Sequence, residues 1–171
     1  KFFYYITDKL TMIQAITETG FNIYVQTEDN RINTSVASTQ IRHLVKFTND
    51  LDKSVYYAYG NTELIKDRYT KINLAYGASP NIYTGVVKLF PAGYYKYEIY
   101  EVSWIGTVTV SSGNAPATEN DVLSPVANDK GVVQGLVTKG KMNLSEKDGT
   151  QQVQYVQREA ATETNYIYYG Q

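Results

Sequence analysis

The sequence predicts an all-β fold, a sandwich or a barrel built from short strands. Apolar and polar residues alternate with a period of two along most of the chain, and a helical period is nearly absent. Turn-forming residues recur between the alternating segments, at roughly the 8–12-residue spacing of sandwich strands. The chain also has 17 tyrosines against 5 phenylalanines, and tyrosine has a high propensity for strands.

The alternating segments are spread over the whole chain. They are FNIYVQT from Phe21, HLVKFT from His43, SVYYAYG from Ser54, KINLAYG from Lys71, GYYKYEI from Gly93, KMNL from Lys141, QVQYV from Gln152 and YIYYG from Tyr166. In GYYKYEI the pleat directs Tyr95, Tyr97 and Ile99 to one face, which we expect to be the core. NTELIKDRY, at residues 61–69, has good helix formers after a capping residue, and we expect one or two helical turns there.

Length and charge limit the class of protein. A chain of 171 residues is long enough for one β-sandwich with a real core and short for two. The net charge of −1, from 16 basic and 17 acidic residues, is typical neither of a nucleic-acid-binding face nor of an electrostatic membrane anchor. No apolar run reaches the ~20 residues of a membrane helix, and no signal-peptide pattern is present. We therefore expect neither a membrane nor a specific nucleic acid as partner.

The residue types that bind metals are scarce. The chain has no cysteine, which excludes disulfides, thiolate zinc sites and cysteine nucleophiles. The single histidine, His43, alternates with Val45 and Phe47, so we expect a hydrogen-bonded, semi-buried side chain rather than a ligand. The carboxylates of EDN (residues 28–30) and NDLD (residues 49–52) have the oxygen ligands that calcium prefers, but tight turns account for them better. We predict no metal and no cofactor.

The sequence offers no catalytic constellation. It has no phosphate-binding loop, no G-x-S-x-G elbow and no dinucleotide fingerprint. A carboxylate pair brought together by the fold is the remaining route to hydrolase activity. We therefore predict a non-enzymatic protein. Trp104, the single tryptophan, is expected to pack in the core, with a sugar-binding role as the alternative.

One long loop interrupts the alternating pattern. Residues 111–131, SSGNAPATENDVLSPVANDKG, are rich in turn formers and have little to bury. A loop of this length is unusual in a compact domain and is typically either functional or disordered; if it is ordered, we expect a neighbour to order it. The chain then divides into an N-terminal arm with strands (residues 1–40), a sandwich core (residues 41–157) and a C-terminal strand or arm (residues 158–171).

The two ends of the chain are aromatic and almost uncharged. FFYYI at residues 2–6 and YIYYG at residues 166–170 would be aggregation-prone edges if they were left unpaired. They must pair with the parent sheet, with each other or with another subunit. We therefore predict protein interfaces at their aromatic side chains, namely Phe2, Phe3, Tyr4, Tyr5, Tyr166, Tyr168 and Tyr169.

The segment LFPAGYYKY, at residues 89–97, resembles the E–F corner of immunoglobulin-like domains. A turn passes through Gly93, and Tyr95 lies two residues before the core position Tyr97. The resemblance implies that the Tyr95 hydroxyl bonds to upstream backbone and fixes the turn. The cysteine pair of antibody domains is missing, and Trp104 follows the corner instead of preceding it. The resemblance therefore implies an antiparallel, immunoglobulin-like β-sandwich rather than an antibody domain.

A succession of motifs resembles the small virion proteins of tailed bacteriophages. The motifs are FTND at residues 47–50, RY at residues 68–69, GYYKYEIYE at residues 93–101 and GLVTKGKM at residues 135–142. The resemblance covers residues 41–171 and leaves the first forty without a counterpart. It implies a virion component, assembled in the host cytoplasm, that decorates the capsid, connects head and tail or attaches a fibre.

These observations together predict a non-enzymatic structural protein of a phage particle. It is expected to be multimeric in the particle and to bind neighbouring capsid, connector or fibre proteins through its loop and terminal strands. The absence of cysteine fits assembly in a reducing cytoplasm, and abundant tyrosine fits large interfaces. The alternative is a carbohydrate-binding or adhesin-type sandwich module that uses exposed tyrosines and Trp104.

Overall fold

The structure is a computed structural model that describes residues 12–123 and 127–148, and strands dominate it. The strands in these residues are β1 (Ile13–Ile16), β2 (Phe21–Val25), β3 (Ile41–Asn49), β4 (Val55–Tyr59), β5 (Thr62–Ile65), β6 (Thr70–Tyr76), β7 (Val86–Val87), β8 (Gly93–Ser103) and β9 (Val132–Ser145). The same ranges contain 3₁₀ turns at Glu28–Asn30, Ser38–Gln40 and Ile82–Thr84. Within the described ranges, no helix has the length and apolar character that crossing a membrane requires.

The strands form two sheets, which confirms the predicted all-β fold. The larger sheet has the strand order β1-β9-β8-β3-β4, and the smaller has β2-β6-β5 with β7 beside β6. The expectation of purely antiparallel pairing is wrong at two places, because β1–β9 and β6–β7 are parallel. Neither pair is joined by a tight hairpin: β1 and β9 lie far apart in the sequence, and residues 77–85 cross between β6 and β7.

The inner faces of the two sheets share one apolar core. Phe21 of the smaller sheet and Phe47 of the larger sheet meet edge to face, with ring centroids 6.1 Å apart. Tyr95, Tyr97 and Ile99 are buried in this core, as their alternation predicts. The other buried members are Ile13, Ala15, Ile23, Val25, Val45, Ala58, Ile72, Leu74, Val87, Leu89, Val137, Met142 and Leu144.

Two expectations about local organisation need correction. Residues 61–69 do not form a helical turn, because residues 62–65 pair with β6 as strand β5, and tertiary pairing overrides the helix propensity of this segment. The division at residue 41 does not coincide with a boundary in the fold, because β1 pairs with β9 and β2 pairs with β6. The strands predicted from Gln152 and Tyr166 lie outside the described residues.

Gly140 supports the packing of a core tyrosine. It lies opposite Tyr97 in the β8–β9 pair, and a Cβ at this position would be 2.5 Å from the Tyr97 hydroxyl oxygen. The tyrosine ring therefore occupies the space that a side chain would need. Strand interiors admit glycine at such close approaches even though it weakens the strand itself.

We expect Gly140→Ala to lower the free energy of unfolding by about 1–3 kcal/mol, because the buried ring has to move out of its position. Chemical denaturation measures this change. The control is Lys139→Ala at the exposed neighbouring position, which should change stability by less than about 0.5 kcal/mol. Equal effects of the two substitutions would contradict the packing argument.

Candidate interaction surface

The turn before β8 is fixed by a buried tyrosine. Tyr95 is fully buried, and its hydroxyl donates a hydrogen bond to the Pro91 carbonyl oxygen at 2.6 Å. Burial raises the pKa of Tyr95 to about 12, so the hydroxyl keeps its proton at neutral pH. Gly93 has φ of +137°, a backbone conformation that residues with a Cβ rarely adopt. Gly93 and Tyr95 therefore hold the corner between β7 and β8.

Large apolar side chains surround this corner and are exposed. Leu51 is 85% exposed, Phe90 is 70% exposed and Tyr94 is 56% exposed. Short contacts bring their segments to the same end of the sandwich. The Asp50 amide donates to the Tyr94 carbonyl oxygen at 2.9 Å, and the Tyr56 hydroxyl donates to the Phe90 carbonyl oxygen at 2.5 Å. We call this surface, formed by Leu51, Phe90 and Tyr94, the corner end.

We expect Tyr95→Phe to lower the free energy of unfolding by about 1 kcal/mol or somewhat more, because the Pro91 carbonyl loses its buried donor. Thermal or chemical denaturation measures the loss. The matched control is Tyr94→Phe, one residue away on the exposed face, which should leave stability unchanged. An unchanged melting temperature for Tyr95→Phe would show that the hydroxyl does not stabilise the corner.

The connection from β8 to β9 is longer than the sequence indicates and is tied to the fold. It begins at Trp104, seven residues before the predicted loop, and runs to residue 131. Trp104 is fully buried, and its indole Nε1 donates to the Asp129 carbonyl oxygen at 3.1 Å. The Gly131 amide donates to the Asn114 carbonyl oxygen at 2.8 Å, and the Trp104 ring packs directly on Gly131. The prediction that Trp104 packs in the core is confirmed.

This connection lies against the outer face of the larger sheet. It builds a second apolar cluster, in which Leu44, Tyr59 and Val102 of the sheet pack with Trp104 and Ala115 of the connection. The hydroxyl of Tyr59 donates to the Pro116 carbonyl oxygen at 2.7 Å. The burial of Trp104 leaves its ring unavailable for stacking on a sugar. The chain's own residues therefore order the described part of the loop.

A charged cluster holds the same connection further along. Glu119 accepts hydrogen bonds from the Lys46 ammonium at 2.5 Å and from the Tyr57 hydroxyl at 2.6 Å. These three side chains, which we call the latch, join the connection to β3 and β4. The side chains of Lys46 and Glu119 are only 20% and 15% exposed. A partly shielded, hydrogen-bonded pair of this kind is stronger than a fully exposed ion pair.

The environment of the latch shifts the pKa values of its three side chains. The hydrogen bond to Glu119 raises the pKa of Lys46, and partial burial raises the pKa of Tyr57 to about 12. Partial burial acts to raise the pKa of Glu119, but the hydrogen bonds from Lys46 and Tyr57 outweigh it and hold this pKa below its ordinary value of 4.5. At neutral pH the latch is therefore an ion pair with a neutral tyrosine.

We expect Glu119→Gln to lower the free energy of unfolding at pH 7 by about 1 kcal/mol, because the amide loses the ion pair with Lys46. The folded pKa of Glu119 is depressed, so the charge stabilises the fold above the ordinary pKa and is lost as the pH falls through the folded pKa. Denaturation measures the free energy of unfolding of wild type and variant at pH 7 and at acidic pH. The difference between the two proteins should be present at pH 7 and disappear in acid.

The control for this titration is Glu18→Gln, since the Glu18 side chain is 58% exposed and pairs with Lys147 only at 3.6 Å. This variant should show a small difference at both pH values. A Glu119→Gln difference that stays constant with pH would contradict the assignment of the carboxylate charge.

A buried polar group lies at the end of the sandwich opposite the corner. His43 is 2% exposed, and its Nδ1 contacts the Glu63 carboxylate while its backbone amide donates to Glu63 Oε2 at 3.2 Å. Glu101 accepts from the backbone amides of Ile32 at 2.9 Å and Asn33 at 2.7 Å. The prediction of a hydrogen-bonded His43 is confirmed, and both carboxylates join chain segments together.

In the turn at residues 49–54, side-chain oxygens accept hydrogen bonds from backbone amides of the same turn. Asn49 Oδ1 accepts from the amides of Leu51 at 2.7 Å and Asp52 at 3.2 Å, and Asp52 Oδ1 accepts from the Ser54 amide at 2.9 Å. Residues 28–30 form a 3₁₀ turn. Among the described residues, no three acidic, histidine or cysteine side chains come together in a way that could hold a metal ion. The turn interpretation accounts for both segments.

Only some of the predicted site residues lie in the described part of the chain. Gly93 and Tyr95 form the corner, whereas the terminal aromatic residues lie outside the described part of the chain. The latch and the exposed corner end were missed. Lys46 and Glu119 are 73 residues apart, and no local pattern links two charges at that separation. The exposure of Phe90 could have been predicted from the sequence, because it lies beside a proline in a turn and an apolar residue there is seldom fully buried.

Comparisons with known proteins add nothing to what the sequence, the fold and the surfaces indicate about function. No family model, no curated protein and no solved structure matches this chain.

Proposed function

We propose that this chain is a non-enzymatic structural protein of a bacteriophage particle. In this proposal it is a component of the virion, assembled in the host cytoplasm, and it is present in several copies. It binds neighbouring capsid, connector or fibre proteins through the corner end, the long connection and the terminal strands. The proposal rests on the motif resemblance and on the surfaces described above.

We further propose that the sandwich is immunoglobulin-like. The strand order supports this assignment, because β2, β3, β4, β5, β6, β8 and β9 follow the order of strands B, C, C′, D, E, F and G. Strands G, F, C and C′ then lie side by side in one sheet and B, E and D in the other, as in variable-type domains. The hydrogen bond between the Tyr95 hydroxyl and the Pro91 carbonyl, at the start of strand F, supports the same assignment.

One observation carries the proposed role: three of the four motifs that resemble virion proteins lie on neighbouring strands of the larger sheet. FTND ends β3, GYYKYEIYE forms most of β8, and GLVTKGKM lies in β9, so three distant segments occupy adjacent strands. The first two pair directly, with Phe47 opposite Tyr97 and Asn49 opposite Tyr95. Exposed Leu51 and Phe90 adjoin these segments, and clustered exposed apolar side chains favour partner contact.

The test is incorporation of variants into phage particles, with copy number measured by quantitative mass spectrometry. We expect the wild-type chain at a fixed stoichiometry in purified particles. The double variant Leu51→Ser with Phe90→Ser should remain folded but incorporate several-fold less, because the corner end loses its apolar contact. Deletion of residues 158–171 should also leave a folded core that fails to join the particle.

The matched control is Tyr24→Ser, which removes an apolar ring that is 58% exposed on the outer face of the smaller sheet. This variant should incorporate normally. Absence of the wild-type chain from purified particles would overturn the proposed role. Normal copy number for the double variant and for the deletion would overturn the assigned surfaces.

A further inference from the structure

Strand β4 is an edge of the larger sheet. It pairs with β3 through residues 44–48 and, within the described residues, no other strand pairs with it, although the segment from Ile82 to Val87 lies nearby. An edge strand presents backbone donors and acceptors that another extended segment can use. Natural sandwiches normally protect such an edge with charges, prolines or bulges. The β4 sequence, VYYAY, contains no charge and no proline, and its pairing with β3 has no bulge.

The hairpin geometry shows which backbone groups face outward. The Asn49 amide donates to the Ser54 carbonyl oxygen at 2.9 Å, which makes this pair a hydrogen-bonded one. Antiparallel pairs alternate, so Tyr56 and Ala58 also direct their backbone groups to β3. Val55 and Tyr57 therefore direct their N–H and C=O groups away from β3, toward the free edge of the sheet. Neither has a backbone partner on that side among the described residues.

An apolar groove runs beside this open part of the edge. It has a volume of about 320 Å³ and lies between β4 and the segment that crosses from β6 to β7. Its lining residues are Val55, Tyr56, Tyr57, Pro80, Ile82, Val86, Val87 and Lys88. At the far end of β4 the ring of Tyr83 stacks on Tyr59, with centroids 6.4 Å apart. The open site therefore fits a short extended segment with apolar side chains.

We propose that the segment YIYYG of this chain, residues 166–170, binds in the groove as an added strand beside β4. The segment is uncharged and consists mostly of residues with high strand propensity, which matches the uncharged edge and its apolar groove. Backbone hydrogen bonds to Val55 and Tyr57 supply the register, and alternate side chains of the segment fill the groove. This pairing does not depend on a role in a virion.

The chain has the reach that this pairing requires. The described part of the chain ends at residue 148, just beyond β9, and β9 is three strand positions from β4. A strand added at the free edge of β4 lies one position further, and four strand spacings amount to roughly 19 Å. The intervening residues 149–165 span up to roughly 55 Å when extended. The segment can therefore reach the groove of its own sandwich or that of a neighbouring copy.

Amide hydrogen exchange of the full chain tests the proposal. We expect the Val55 and Tyr57 amides to exchange at least tenfold more slowly in the full chain than after deletion of residues 158–171. The amides of Tyr56 and Ala58, which donate to β3, should exchange equally slowly in both proteins. These two amides report that β4 remains folded, so a loss of protection at Val55 and Tyr57 cannot come from unfolding.

A pair of proline variants of the full chain sharpens the test. Tyr168→Pro removes a donor from the middle of the segment and should release the Val55 and Tyr57 amides as the deletion does. Thr162→Pro, outside the segment, should leave them protected. Protection that falls on dilution identifies a neighbouring copy as the source of the strand, and protection independent of concentration identifies the same chain; both support the pairing. Fast exchange of Val55 and Tyr57 in the full chain, or protection that survives Tyr168→Pro, would overturn it.

Discussion

The register between β3 and β8 determines where most of the other contacts form. Nine residues of β3 pair with nine of β8, from Ile41 opposite Ser103 to Asn49 opposite Tyr95. This register directs Phe47 and Tyr97 inward, where they build the core between the sheets. It directs Lys46 outward, where it reaches the connection that follows β8. A slip of one residue would exchange the two faces, so the core and the latch would be lost together.

The two faces of the larger sheet are both covered, but by different parts of the chain. The inner face packs against the smaller sheet, and much of the outer face packs against the connection from β8 to β9. Trp104, Tyr59 and Glu119 each have a defined partner in that second contact. Exposed apolar side chains remain at the corner end, and others lie on the connection itself, where Val122 is 87% exposed and Ile105 is 69% exposed.

Sequence reasoning succeeds where a pattern is local and fails where partners are distant. The alternation in GYYKYEI identifies Tyr95, Tyr97 and Ile99 as core residues because each position depends only on the pleat. The same approach assigns residues 61–69 to helical turns, because pairing of β5 with β6 leaves no trace in local propensity. The latch needs Glu119 beside Lys46, and only the folded sheet brings the two charges together. The true start of the long connection is hidden because Trp104 continues the apolar pattern of β8.

The anchoring of the long connection affects how the sequence can change there. Connections of this length are usually the places where a domain accepts inserted residues, tags or grafted epitopes. Here Trp104, Ala115 and Glu119 divide the first part of the connection into short spans with fixed end points. Added residues fit between these points, as at the exposed residues around Gly113, but replacement of the whole span would expose the outer sheet face. In engineering terms, the connection is a scaffold element with one small permissive window, around Gly113, rather than one large variable loop.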